Sequence, residues 1–477
     1  MTSPQSPIRP WPFGLPLLQA IRRDPLALAQ SLHKQHGDIA SVKVLSTHIY
    51  YLFRPEAARQ VLVEHQEDFE KDQRPLDILQ SVHGANVITT EGAVWERQRR
   101  ILTPAFAPKR IEACAKLMAA AADECASQEL PQEVGANAII DVDALTTLIT
   151  MDVILRALFS YHYQREEAAA VSQAIRSLSK QLMRELFWPV RAVPWLPYPG
   201  RAEKERSTAL VRDLIRARIE ARRQAMSAGA EAGEDILGLM LAARDEQATA
   251  PDAGLSDQEI LDNCVGLFGA GHDTSATALT WWIGLMAMHP EIAARVRDEL
   301  RGLPEDRASA VKTIMEARLL NATIKEAMRL YPPSTATFSR RALRDVPIDG
   351  QVIAKGALVL IPIWSLHHDP RWFPEPDAFR PERFMPGAPV LPRSAFMPFG
   401  IGPHFCLGQQ FATVEMALIA ARLVRNHDFA LDQATALPAP EVNLVLKPRE
   451  RLKVRFTRLA QDRQTVVPSE RAERQSN

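Results

Sequence analysis

The sequence predicts a protein that is mainly α-helical with a smaller β-rich region (an α+β class), and three features support this. Apolar residues recur with a helical period through most of residues 109–250. A second long helix begins at a capping box at Ser256 and continues to about His289. Short β-rich segments bounded by turn residues cluster near residues 39–53 and 334–363.

The composition is that of an ordinary globular protein. The 477 residues are 46% hydrophobic and 24% charged, and the 57 basic side chains balance 57 acidic ones. This balance gives no support for a nucleic-acid partner. The four cysteines are scattered without a C-x-x-C pair, which argues against a disulfide framework, a zinc site or a c-type haem attachment motif and favours a reducing compartment.

No targeting or membrane segment is predicted. Residues Met1–Trp11 lack the apolar stretch of a secretory signal. No window approaches 18 uninterrupted apolar residues, so we expect no membrane anchor. The sequence therefore predicts a cytoplasmic protein.

The first ninety residues alternate between short elements. Three prolines predict an irregular lead-in over residues 1–24. Pro75 and Gly84 predict a long loop over residues 72–91. Between these segments, the pattern predicts a helix over about residues 25–36, strands over 39–45 and 48–53 that form a hairpin, and a helix over 55–69.

The next helix begins near Gly92 and carries two candidate donors. Trp95 and Arg99 are four residues apart, so they share one helical face. Either the indole packs under the arginine stem, or both side chains donate to one anionic group. The pair alone does not decide between these interpretations.

The long helix that starts after Ser256 has an unusual middle. Gly266, Gly269 and Gly271 each cost about 1 kcal/mol relative to alanine, and Asp273 and Thr274 follow in apolar surroundings. Close packing against a neighbouring helix is one explanation. Since the flanks are apolar almost all round, we favour a buried segment that lines a cavity for a ligand.

The last third of the chain contains several short elements and a cysteine loop. Cys406 lies in the glycine-rich loop Phe399–Gly408, ahead of a helix over about residues 409–425. A helix N-terminus favours a thiolate, although an inert buried cysteine is the simpler interpretation. Other predicted segments are a helix over 312–331, short strands from 334 to 363, an ordered proline-rich coil over 364–392, a terminal β pair over 442–446 and 452–456, and a disordered polar tail over 461–477 after a single domain over 1–460.

Five signals occur in one order along the chain. They are Trp95-x-x-x-Arg99, Ala270-Gly-His-Asp-Thr-Ser275, Glu326-x-x-Arg329, Pro381-Glu-Arg-Phe384, and Phe399-x-x-Gly402-x-His404-x-Cys406-x-Gly408. Together they resemble the cytochrome P-450 family of haem-thiolate monooxygenases, over about residues 28–457. The cysteine segment is the specific signal, and the others are weak singly.

The resemblance implies a fold in which haem b lies between the long central helix and the helix after the cysteine loop. Cys406 corresponds to the axial ligand of the haem iron, and thiolate ligation assists O–O cleavage. The residues that would contact the rest of the haem are Trp95, Arg99, Arg340 and His404 at the propionates, and Phe399, Gly402 and Gly408 around the ligand loop. Histidine stands at position 404 where many members carry arginine, so its charge depends on pH.

The resemblance also implies two further groups of residues. Glu326, Arg329 and Arg383 form a structural charge network that fixes the coil region against the core. Asp273 and Thr274 lie over the distal face, where the chemistry requires protons to be delivered to dioxygen.

By this resemblance the protein inserts one oxygen atom into a lipophilic small molecule. Electrons from NAD(P)H arrive through a separate ferredoxin or flavodoxin and its reductase, and Arg97, Arg100, Lys109 and Arg110 form either a docking surface or an ordinary solvated face. The expected substrate-pocket residues are Leu267, Ala270, Thr335, Thr337 and Leu444.

One alternative is a peroxygenase on the same fold, and the other, of a different class, is a non-catalytic haem-thiolate protein that binds a gas or ligand as a sensor. A peroxygenase would use hydrogen peroxide directly, but such proteins lack the acid–alcohol pair that Asp273 and Thr274 supply. A haem-thiolate sensor would need no proton relay. Substrate oxidation driven by a ferredoxin or flavodoxin system separates these alternatives from a monooxygenase.

Overall fold

A computed structural model describes residues 15–44, 46–163, 165–186, 198–243, 254–301, 311–433 and 435–460. The predicted mainly α class with small sheets is confirmed. The predicted disordered tail over 461–477 lies outside the described residues. No helix among the described residues combines the length and the apolar character needed to cross a bilayer.

Helices account for most of the described chain. In order they are α1 (Leu15–Arg23), α2 (Pro25–His36), α3 (Pro55–Arg59), α4 (Gln73–His83), α5 (Gly92–Leu102), α6 (Pro108–Glu129), α7 (Val142–Phe159), α8 (Arg165–Leu186), α9 (Arg201–Ser227), α10 (Ile236–Ala242), α11 (Asp257–Met288), α12 (Pro290–Arg301), α13 (Val311–Glu316), α14 (Arg318–Leu330), α15 (Ile363–His367) and α16 (Gln409–Asn426).

The strands in the described ranges are short and form four small sheets. They are β1 (Ile39–Val44), β2 (Thr47–Leu52), β3 (Phe69–Lys71), β4 (Asn137–Asp141), β5 (Arg340–Ala342), β6 (Val346–Ile348), β7 (Gln351–Ile353), β8 (Leu358–Leu360), β9 (His427–Leu431), β10 (Pro440–Val442), β11 (Leu446–Pro448) and β12 (Lys453–Arg458). The largest sheet has the order β1-β2-β8-β5-β3. Its β1–β2 pair is the predicted hairpin.

Helix α11 is the centre of the core. Its capping box forms as predicted, because Ser256 and Glu259 each bind the other's backbone N–H. At 1.5 Å per residue its 32 residues span about 48 Å. It packs against α7, α14 and α16, and both Trp281 and Trp282 are fully buried. The predicted burial of this helix is therefore confirmed.

Three local predictions are wrong. Residues 1–24 are not irregular throughout, because α1 begins at Leu15 with Pro16 in its first turn, where proline needs no N–H partner. Residues 72–91 are not all loop, since Gln73–His83 forms α4. The two terminal β segments do not pair with each other: β10 pairs with β11, while β12 pairs with β4 and β9.

Candidate active site

A cavity of about 1300 Å³ is lined by α11 and by the loop that precedes α16. The loop contributes Cys406, and α11 contributes Asp273 and Thr274. Trp95 and Arg99 extend into the lining from α5. Residues that were predicted from separate parts of the sequence therefore meet at one site.

The cysteine loop is held by its own backbone. The Cys406 N–H donates to the Phe399 carbonyl at 2.9 Å, and the Phe405 N–H donates to the Gly402 carbonyl at 3.1 Å. Gly402 has φ 75°, and a Cβ there would lie 2.0 Å from the Leu62 carbonyl oxygen. Gly402 is therefore required by the close approach of the loop to the Leu62 backbone.

Gly408 lies where the loop borders the cavity. A Cβ at this position would meet no protein atom closer than Phe106 Cε1 at 3.9 Å, and Gly408 lines the cavity. Phe399 lines the cavity as well. The space beside the thiol is therefore open to a ligand.

The Cys406 thiol is enclosed by protein but accessible from the cavity. Burial raises its pKa, while the Gly408 N–H and the Arg99 charge act in the opposite direction. The helix terminus alone therefore does not yield a thiolate. A metal cation deprotonates a coordinating thiol outright, so this thiol suits a metal ligand.

The lining also carries a cluster of buried cations, which includes Arg99 near the thiol. Arg340 and Lys71 are 8% and 5% exposed, and burial lowers the pKa of Arg340 and that of Arg99. Glu91 lies 2.8 Å from Lys71 Nζ and supplies one negative charge. Three cations against one carboxylate leave a net charge of +2, which fits a group that carries two carboxylates, as haem b does.

His404 lies inside this cluster and is neutral. Its ring lies 4.0 Å from the Trp95 ring, centroid to centroid. Burial lowers its pKa to about 3, with further contributions from Lys71, Arg340 and Arg99. His404 can therefore donate a hydrogen bond to a carboxylate without adding a charge to the site.

Asp273 and Thr274 lie on the cavity side of α11. Thr274 donates its hydroxyl to the Ala270 carbonyl at 2.8 Å. Asp273 is 8% exposed, and its Oδ1 lies 2.8 Å from Lys447 Nζ. Both side chains can therefore face a small molecule in the cavity.

The glycines in the middle of α11 line the cavity and also allow close packing. A Cβ at Gly266 would lie 2.7 Å from the Asn86 amide, and one at Gly269 would lie 2.9 Å from the His83 ring. These two glycines therefore admit side chains from the end of α4 and from the segment that follows it.

Comparison with known proteins identifies the family. The Cytochrome P450 family model matches residues 4–456. The chain belongs to the cytochrome P450 family. It is therefore a haem b oxidoreductase that activates dioxygen and inserts one oxygen atom into an organic substrate, with electrons from a redox partner.

Curated relatives support this assignment. The chain is 31% identical to a cyclooctat-9-en-7-ol 5-monooxygenase of Streptomyces melanosporofaciens over 87% of its length and 89% of the relative's. It is 30% identical to a cytokinin hydroxylase of Arabidopsis thaliana over 83% and 76% of the two chains. Cyclooctatin synthase from the same Streptomyces is 28% identical over 94% and 96%.

In this P450 the predicted charge network is fully assembled. Glu326 and Arg329 form two hydrogen bonds of 2.8 Å, and both side chains are 0% exposed. Arg383 Nε donates to Glu326 at 3.2 Å. The remaining Arg329 donors bind carbonyls of the coil at His367, Pro376 and Ala378. The network therefore joins α14 to the coil before the cysteine loop.

The predicted pocket residues also line the P450 cavity. They are Leu267, Ala270, Thr335, Thr337 and Leu444. Sequence reasoning missed Lys71, Glu415 and Lys447. Lys71 and Glu415 line the cavity, and Lys447 contacts Asp273, which lines it as well. No periodic pattern marks a single buried charge, so none of them carried a recognisable signal.

Glu415 is a buried carboxyl between the cysteine helix and the central helix. It is 1% exposed, and Ser275 donates to its Oε2 at 2.6 Å. Burial raises its pKa to about 8, with the Ser275 hydrogen bond acting in the opposite direction. The side chain is therefore a neutral acid at pH 7.

We expect Glu415→Gln to stabilise the protein at pH 8. The unfolded chain ionises this carboxyl above pH 4.5, whereas the folded protein keeps the proton to about pH 8, so stability is lost as pH rises through this window. Each pKa unit by which the folded and unfolded states differ corresponds to about 1.4 kcal/mol, so the variant should gain a few kcal/mol in its free energy of unfolding at pH 8. Urea unfolding of parent and variant at pH 5 and pH 8 measures this free energy.

The control is Glu441→Gln, because Glu441 is exposed on β10. It should leave the pH dependence unchanged. A Glu415→Gln protein with the same pH dependence as the parent would contradict the neutral-acid assignment.

Proposed function

We propose that Cys406 is the axial ligand of haem b and that the propionates bind to Trp95, Arg99, Arg340 and His404. The observation that carries this proposal is one cavity lined by both the thiol and the acid–alcohol pair of α11. When bound, the haem supplies the activation of dioxygen. Phe399 and Gly408 leave room for it beside the thiol.

The proposed role of Asp273 and Thr274 is to deliver protons to dioxygen. The Thr274 hydroxyl can orient oxygen or a water molecule, and the Asp273 carboxyl can replace the protons that are used. We expect Thr274→Ala to retain the haem spectrum while electrons from NAD(P)H are diverted to hydrogen peroxide. The ratio of product formed to NAD(P)H consumed measures this loss of coupling.

Thr277→Ala is the matched control for Thr274→Ala. Thr277 lies on the same helix and is fully buried, but it is not part of the cavity lining. Its substitution should leave the coupling unchanged. Full coupling in the Thr274→Ala protein would contradict the proposed proton delivery.

The proposed substrate is a neutral lipophilic molecule such as a terpenoid. Leu267, Ala270 and Leu444 in the lining are apolar or small. Arg212 also lines the cavity, but it pairs with Asp262 at 2.7 Å and is not available to anchor a carboxylate. Two of the relatives are named for cyclooctat-9-en-7-ol oxidation and cyclooctatin synthesis.

A binding screen on the ferric protein tests this substrate class. Terpene alcohols and fatty acids of similar size form a matched pair of ligand sets, because they differ in the carboxylate. We expect the terpene alcohols to displace the iron-bound water and shift the absorption spectrum. Stronger shifts with the fatty acids would exclude a neutral substrate.

The proposed redox partner is a cytoplasmic ferredoxin or flavodoxin. Lys109 is exposed at the start of α6 and can contact an acidic partner. Arg97 does not belong to this surface, because it pairs with Glu259 and donates to the Gly254 carbonyl at 3.1 Å. Substrate oxidation reconstituted with each partner type tests this proposal.

A further inference from the structure

Lys447 connects the distal cavity to the protein surface. Its Nζ lies 2.8 Å from Asp273 Oδ1 and 2.9 Å from Asp143 Oδ1. Asp273 lines the cavity, whereas Asp143 is in the first turn of α7 and 24% of its side chain is exposed. The three side chains form a continuous row from the cavity to solvent.

The backbone on which Lys447 lies is fixed against the central helix. The Leu446 carbonyl accepts a hydrogen bond from Trp281 Nε1 at 2.6 Å, and the Leu446 N–H donates to the Pro333 carbonyl at 3.0 Å. Trp281 belongs to α11, eight residues after Asp273. The ammonium group is therefore held at a fixed position beside the acid–alcohol pair.

Lys447 carries a positive charge at rest. Burial opposes the ammonium form, but Asp273 and Asp143 together outweigh burial and raise the pKa of Lys447. His272, the neighbouring titratable group on α11, is fully buried, and burial lowers its pKa, so it adds no positive charge beside Asp273. The row therefore consists of one cation, Lys447, with one carboxyl group on each side.

We propose that Lys447 is a positioning residue for oxygen activation, and that Asp143 is the surface end of the route by which protons reach Asp273. The ammonium group keeps the Asp273 carboxylate at the junction between the cavity and this route. It donates one N–H proton to Asp273 and takes one from Asp143, so that its positive charge is restored after each transfer. Asp143 exchanges protons with bulk water.

The proton balance of the reaction requires such a route. Each turnover uses dioxygen, two electrons from the redox partner and two protons; one oxygen atom enters a C–H bond of the substrate and the other leaves as water. Every proton that leaves the Asp273 carboxyl for the cavity must be replaced from bulk water. A route through Asp143 provides this replacement without opening the apolar cavity to solvent.

The inference rests on the proposed function of Asp273, so the test includes Asp273→Asn. The other variants of the haem-loaded protein are Lys447→Met, Lys447→Arg and Asp143→Asn, with exposed Lys453→Met as the control. Coupling, the solvent deuterium isotope effect on product formation, haem content and substrate affinity are measured for each. The last two report structural damage.

We expect coupling to fall about fivefold in Lys447→Met and about twofold in Asp143→Asn, with a larger solvent isotope effect in both; these losses are smaller than the roughly 10²–10⁴-fold of a direct acid–base group because both residues act through Asp273. Lys447→Arg keeps the charge beside Asp273, but its guanidinium does not release a proton, so haem content should be retained while coupling falls as in Lys447→Met. Lys453→Met should behave like the parent. Haem content and substrate affinity should not change in Asp143→Asn, whose side chain is partly exposed.

Two outcomes separate this inference from the proposed function. Uncoupling in Asp273→Asn with normal coupling and isotope effect in Lys447→Met would overturn the role of Lys447 alone. Normal coupling in Asp273→Asn would overturn the proposed proton delivery itself. If Lys447→Met loses its haem, Asp143→Asn decides, because an unchanged isotope effect there overturns the route.

A second measurement does not depend on turnover. Lysine side-chain NMR follows the titration of Lys447 in the parent, in Asp143→Asn and in Asp273→Asn. We expect the midpoint to move to lower pH in each variant, because each removes one of the two carboxylates that stabilise the ammonium. An unchanged midpoint in both variants would overturn the three-residue row.

Discussion

Cys406→Ser is expected to abolish the carbon monoxide absorption band of a thiolate-ligated haem. Serine keeps the size of the side chain, but its hydroxyl does not deprotonate at neutral pH to give the electron-rich ligand that thiolate chemistry needs. Monooxygenase activity should disappear with the band. The reduced, carbon monoxide-treated spectrum measures the change directly.

Haem binding itself should be weakened by Cys406→Ser but not abolished. Arg99, Arg340 and Lys71 remain in place, and their charges still attract the propionates. The expected product is a protein with reduced haem content and an altered spectrum, rather than an unfolded chain. This distinguishes the loss of a ligand from the loss of the fold.

Cys114→Ser is the control for this experiment. Cys114 is a partly buried free cysteine on α6 and does not line the cavity. Its replacement should leave the carbon monoxide band intact. A thiolate band that survives in Cys406→Ser would contradict the whole interpretation of the site.

The central helix and the cysteine loop could be predicted because their signals are local. The capping box at Ser256 fixes the start of α11, and its apolar composition on all sides requires burial. Arg340 is buried at the cavity, whereas its neighbour Arg341 pairs with Asp72 and donates to the Gly356 carbonyl.

Helix α4 was missed because its end signals were interpreted as breaks. Pro75 is the third residue of the helix, where proline is tolerated, and Gly84 is its C-cap with φ 72°. The same residues inside a helix would have interrupted it. Local composition does not distinguish a helix end from a loop when the helix has only 11 residues.

Pairing between distant segments could not be predicted from the sequence. Strand β12 pairs with β4, more than 300 residues earlier, instead of with the nearest β segment. Lys447 likewise meets Asp143 and Asp273 only through the fold. A buried charge needs partners, but sequence periodicity does not identify which residues they are.

Removing one member of the buried charge network should prevent normal folding or haem binding. Glu326→Ala leaves the Arg329 guanidinium without its carboxylate at a position that is 0% exposed, and Arg329→Ala leaves that carboxylate uncompensated. Breaking a buried pair in this way costs about 3–5 kcal/mol. A domain is stable by only about 5–15 kcal/mol, so this loss removes a large share of the stability, and we expect poor folding or loss of haem.

The position of the network explains why its loss should reach the haem site. Arg329 binds three carbonyls of the coil at His367, Pro376 and Ala378, and the His367 ring accepts the Met397 N–H at 3.0 Å, nine residues before Cys406. Without these bonds the coil is released from α14, and the cysteine loop loses its support. Haem content and thermal unfolding of the purified variants measure this effect.

Asp298→Ala is the matched control, since Asp298 and Arg301 have the same three-residue spacing on α12. Their side chains are 65% and 59% exposed, and an exposed pair of this kind contributes only about 0–1 kcal/mol. We therefore expect normal haem content in Asp298→Ala and a large loss in Glu326→Ala and Arg329→Ala. Normal haem content in either network variant would show that burial does not make this pair essential.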